Sequence, residues 1–117
     1  MAGTMRQAAD RERHKALAAA AEGAEKAALA EVDRVASDGE ALIDRLHAVE
    51  RRLSQAAQVL AEADDGSRAD AHREFAALLE ESRTVIALKR ENAAAMRAAL
   101  TVWQQMGKAR AQAEEPQ

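Results

Sequence analysis

The stretch VDRVASDGEALIDRLHAVERRLSQAAQVL, residues 32–60, decides the fold. Two series run through it at seven-residue intervals. One is Val32, Gly39, Leu46, Leu53 and Leu60; the other is Ala28, just upstream, then Val35, Leu42, Val49 and Ala56. Interleaved, they recur at alternating steps of three and four residues. That spacing puts them on one face of an α-helix as a coiled-coil seam, not on alternate faces of a strand. Ser37-Asp38-Gly39-Glu40 carries a competing signal, because Ser37 and Glu40 have the spacing of a capping box that starts a helix. The register nevertheless crosses Gly39 without a slip, and a loop would normally reset it. The spacing therefore predicts one helix continuing through Gly39, straight or bent there; a break would make three helices instead of two. A glycine in a helix interior costs ~1 kcal/mol relative to alanine, which many flanking turns can absorb.

Outward from this stretch, Asp64-Asp65-Gly66-Ser67 is the best chain reversal: an acidic, glycine-containing stop, then a serine N-cap with Asp70 placed as its capping-box partner. The only proline, Pro116, lies at the C-terminal end, so no proline interrupts a helix before it. Thr4 and Gln7 have the spacing to open the first helix, predicted from about Met5 to Ala63. Its beginning carries a weaker stripe of Leu17, Ala21, Ala24 and Ala28, with Glu22 and Lys26 placed for an ion pair, and is expected to be its least anchored part. A second helix is predicted from about Arg68 to Arg110, with a frayed tail from Ala111 to Gln117. The expected fold is all-α and single-domain: a long antiparallel helical hairpin or coiled-coil bundle, three-helix if broken near Gly39.

Composition agrees. Of 117 residues 48% are hydrophobic, but many are alanine, and the aromatics are only Phe75 and Trp103. Thin helical packing tolerates this better than a compact α/β globule does. Net charge is −3, from 17 Lys+Arg against 20 Asp+Glu, and the best basic cluster, Lys89-Arg90, runs straight into Glu91. Nucleic-acid binding, which relies on clustered cations, is not expected, nor is a membrane-surface role. No cysteine is present, which excludes disulfides and thiolate metal sites. The longest uncharged apolar run near the start, Ala16 to Ala21, is too short for a signal peptide or a membrane span. The expected location is the cytoplasm.

Chemistry-bearing patterns are scarce. His14, His47 and His72 form no HxxxH or HExxH pair. Glu80-Glu81 and Glu114-Glu115 are adjacent carboxylates, which point in different directions on a helix and cannot flank one bond. No Glu-x-x-His set faces a bundle core, and no glycine-rich phosphate loop follows a strand. The expectation is a protein that is not an enzyme and uses no cofactor or metal.

The second helix is more informative. One apolar stripe contains Leu78, Val85, Asn92, Ala99 and Met106; a second contains Leu79, Ile86, Ala93 and Leu100, with Met96 and Trp103 near it. A face this broad exceeds what one partner helix covers. The N-terminal segment could fold back on it, the chain could self-associate, or a client helix could dock. Asn92 reads as a registry device in a seam, or as a side chain that bonds a client's backbone. Trp103 with Met96 and Met106 reads as a bundle-end core, or as an adaptable partner-binding cluster. Asn92, Met96, Leu100, Trp103 and Met106 are the candidate partner-binding residues.

The C-terminal helix VIALKRENAAAMRAALTVWQQM (Val85–Met106), in a small, acidic, proline-poor helical chain, resembles the FlgN-type flagellar export chaperones. In that family the last helix carries a leucine-x-x-x-asparagine element followed by spaced aliphatics, matched here by Leu88 and Asn92, then Met96 and Leu100. Where the family usually has a second asparagine and a glycine shortly after, this chain has Ala93–Ala95. The resemblance covers about the final third of the chain. It implies a cytosolic chaperone that binds C-terminal helical segments of hook-associated proteins through its last helix. The alternative is a structural homo-oligomeric coiled-coil scaffold.

Overall fold

The computed structural model describes residues 2–115, and of Ala2 the backbone only. Two helices, α1 (Ala2–Glu62) and α2 (Arg68–Glu114), pack as an antiparallel hairpin. No strand occurs among the described residues. The chain divides into two compact units, residues 36–94 with the turn, and residues up to Val35 with those from Ala95.

α1 runs through Gly39 without a break. It begins before Thr4, so the Thr4–Gln7 capping box does not open it. The seam positions along α1 are Ala18, Ala21, Glu25, Ala28, Val32, Val35, Gly39, Leu42, Leu46, Val49, Leu53, Ala56 and Leu60, with Ala63 just past its end, an unbroken alternation of three- and four-residue steps; His14, Ala36 and Ala48 are half-buried beside them. On the heptad scale Val32, Gly39 and Leu46 occupy a, and Val35, Leu42 and Val49 occupy d. At the N-terminal end this corrects the expected stripe: Leu17 is 64% exposed and Ala24 is exposed, while Ala18 and Glu25 face the seam. The register set by the strong heptads carries on through the alanines, whose weak apolarity could not reveal it.

On α2 the same alternation runs Ala71, Phe75, Leu78, Ser82, Val85, Lys89, Asn92, Met96, Ala99, Trp103, Met106, Arg110 and Ala113. It continues to Glu114, beyond the predicted end at Arg110. Ala113 keeps seam contact there, and the Arg110–Glu114 ion pair at 3.0 Å supports the last turn, so the predicted fraying does not start at Ala111. Pro116 and Gln117 lie outside the described residues.

All of the buried hydrophobic residues are at d: Ala28, Val35, Val49 and Ala56 on α1, and Ala71, Leu78, Val85 and Ala99 on α2. The a positions hold Glu25, Gly39, Ser82, Lys89 and Arg110 among their apolar members, and none of these is fully buried. Charged ends must keep water or a partner, so the a row stays partly open while the small d residues close the seam. In the 36–94 unit, Arg52 and Glu81 bridge the helices at 3.4 Å on one side.

The turn differs from its predicted chemistry. Asp64, not Ser67, supplies the capping carboxylate: the Ser67 amide and hydroxyl donate to Asp64 Oδ1 at 2.9 and 3.0 Å. These bonds from Ser67, with one from the Gly66 amide, hold the Asp64 carboxyl below the ordinary aspartate range. Asp70, the expected partner of Ser67, pairs with Arg73 instead.

Gly39 has a steric reason to be glycine. A Cβ built there would lie 2.7 Å from Asn92 Oδ1, well inside contact distance. The amide on one helix occupies the space that the absent side chain leaves on the other. Gly39→Ala should therefore stabilise by about 1 kcal/mol in an Asn92→Ala background, where only helix propensity acts. In the native background the gain should vanish or reverse, a coupling of about 1 kcal/mol or more by double-mutant cycle in urea. Equal effects in both backgrounds would show that the two positions do not meet.

Val49 and Val59 lie on the same helix and the same unit, 1% and 57% exposed. Val49→Ala should cost about 1.5–3 kcal/mol and Val59→Ala at most about 0.5 kcal/mol, read from chemical denaturation. A similar cost at both would mean that the d row does not carry the core.

Candidate partner-binding site

The five candidate residues do not gather at one place. Asn92 belongs to the 36–94 unit, where it meets Gly39 across the seam. Met96, Leu100, Trp103 and Met106 belong to the other unit. Asn92 and Met106 are at d, Met96 and Trp103 at a, and Leu100 sits beside the buried Ala99 on the flank of the seam. Each of the five is partly exposed, neither sealed nor bare. The stripe of Leu79, Ile86, Ala93 and Leu100 thus lies off the seam, because α1 is the only helix in the chain available to cover α2.

Around Trp103 the surface becomes a site. An open cavity of about 320 Å³ is lined by Glu22, Glu25, Lys26, Leu29, Trp103 and Arg110, with Glu114 at its edge. Leu29 is 39% exposed there. Glu25 on α1 and Arg110 on α2 form a short ion pair across the seam, with side chains 22% and 35% exposed. Arg110 also reaches Glu114. Hydrogen bonding and charge from Glu25, then the charge of Glu114, raise the Arg110 pKa, so the guanidinium stays charged at any working pH. Gly107 lies beside this pair: a Cβ there would sit 3.6 Å from Glu25 Oε1, an ordinary contact.

The arrangement is a partly exposed indole, an aliphatic neighbour and a charge pair on one cavity. It can bind an apolar side chain and orient a polar group beside it. Glu25, Leu29 and Arg110 were not among the candidates from sequence. The signal existed: Glu25 is one heptad before Val32, and Arg110 is one heptad after Trp103.

On the other side of this unit, a second concavity of about 330 Å³ is floored by Ala28, Ala95, Ala98 and Ala99 and edged by Glu31 and Val102. It offers small apolar residues and a single carboxylate, Glu31, which is already paired with Arg34. Among the described residues no group of three or more His, Asp or Glu side chains is placed to hold a metal ion. No helix among them is long and apolar enough to cross a membrane.

Trp103 is the only tryptophan, so its fluorescence reads this site directly. Acrylamide should quench it to a degree between that of a buried and a free indole, and Glu25→Gln should raise the quenching constant by releasing Arg110. A quenching constant equal to that of free tryptophan, or one insensitive to Glu25→Gln, would contradict the geometry.

Comparison with protein-family models, with curated proteins and with solved structures finds no significant match for this chain.

Proposed function

We propose that this chain is a non-catalytic protein-binding hairpin that receives an amphipathic helical segment of another polypeptide at the Trp103 site. The observation that supports it is the position of Trp103. The indole stands in the seam row yet remains partly exposed over an open cavity, beside the exposed Leu29 and the fixed Glu25–Arg110 pair. Burying the rest of such an indole is a common source of binding energy in protein interfaces. Leu100 is one turn away along the same helix and Met96 and Met106 flank it, so apolar anchors at three- and four-residue spacing on a client helix would find matching side chains.

A narrower form of the reading is an export chaperone of the FlgN type, working in the cytoplasm on C-terminal helical segments of hook-associated proteins. It rests on the resemblance carried by Leu88, Asn92, Met96 and Leu100. Synthetic C-terminal peptides of hook-associated proteins, titrated against the chain with Trp103 emission as the readout, test it. The expected result is a one-to-one complex, a blue-shifted indole, and at least about tenfold weaker binding for Trp103→Ala and Leu100→Ala. Tight binding untouched by both substitutions would reject this surface. Failure of these peptides, with success of an unrelated amphipathic helix, would reject the narrower form alone.

A further inference from the structure

The 36–94 unit has two dissimilar sides. In an antiparallel helix pair the g positions of both helices share one side of the seam and the e positions share the other. The g side carries the Arg52–Glu81 ion pair. The e side carries Ala36 and Ile43 from α1, and Leu79, Ile86 and Ala93 from α2, becoming charged only at Glu50 and polar at His72 near the turn. Ile43 is 43% exposed and Ile86 39% exposed. Small residues lie at one end of this edge and branched aliphatics follow, a contour into which another helix face can settle.

We propose that two copies of this chain associate through this edge, with α1 of each copy lying along α2 of the other. The proposal goes beyond the Trp103 reading and does not rest on it. Charge complementarity selects a second copy as the occupant.

Glu40 borders the edge on α1, three residues before Ile43, and Arg90 borders it on α2, four residues after Ile86. Among the described residues neither has an ion-pair partner within the chain. Gly39 and Asn92 meet across the seam, so Glu40 and Arg90 lie at nearly the same height along the hairpin. A two-fold axis parallel to the helices preserves height and exchanges α1 for α2. Glu40 of each copy then faces Arg90 of the other, and the same complementary pair forms twice, as an isologous interface requires.

Sedimentation of the intact chain should show a concentration-dependent dimer. Ile43→Glu with Ile86→Glu should leave helical circular dichroism in place and weaken the dimer at least about a hundredfold. Glu40→Arg should weaken it about tenfold, and adding Arg90→Glu to the same chain should restore it. Because the chain has no cysteine, a mixture of Glu40→Cys and Arg90→Cys variants gives an independent reading that does not depend on how the glutamate variant folds. Oxidation should favour the 40–90 disulfide between copies over 40–40 and 90–90. A monomer at all concentrations, a dimer indifferent to the charge reversal, or preferential 40–40 linkage would each overturn the proposal. Trp103→Ala should leave the dimer unchanged, which keeps this test separate from client binding.

Discussion

Two helices that share a single seam have nothing behind them to complete a core. Each layer must be closed by the residues that point straight at the opposite helix, and here those are the d positions. Alanine, valine and one leucine fill the buried d sites, from Ala28 to Ala56 on α1 and from Ala71 to Ala99 on α2. Small side chains at these sites let the helices pack closely, and close packing is what lets so little bulk exclude water. The scarcity of large apolar residues and the unbroken register are thus two sides of one constraint.

The a row works differently. It carries polar residues and one glycine, and at two places these meet a specific group on the other helix. In the 36–94 unit a glycine yields its space to the Asn92 amide. In the other unit Glu25 meets Arg110. Polar groups inside a seam are costly when unmatched and inexpensive when matched, so they penalise every register but the native one. Their stability contribution is secondary to this choice of alignment, because the apolar layers above and below provide most of the burial.

A seam this narrow leaves large side chains on its flanks with no intramolecular cover. Leu29, Ile43, Ile86 and Val102 are exposed for that reason. Trp103 is a related case: it occupies a seam position, but the open cavity beside it is lined from α1 by Glu22, Glu25, Lys26 and Leu29, of which only Leu29 is apolar. Surface left over from folding is available for association, and in this chain it lies on both helices, Leu29 and Ile43 on α1 and Ile86 and Val102 on α2.

The residues from Val32 to Ser67 by themselves determined that α1 is helical, that it passes through Gly39, and that the reversal falls at Asp64–Ser67. Heptad spacing, the lack of internal proline and the acidic glycine turn are local properties, legible without any partner. Which of the two α2 stripes would be buried was not legible, since Leu79, Ile86 and Leu100 are as apolar as Leu78, Val85 and Ala99. Nor was the pairing of Glu25 with Arg110, whose heptad positions alone could be read, or the replacement of Ser67 by Asp64 as the capping group. Those outcomes depend on what stands opposite each residue once the helices are aligned. A single helix face can be wider than its neighbour, and only the packed hairpin shows which part of that width is left for another protein.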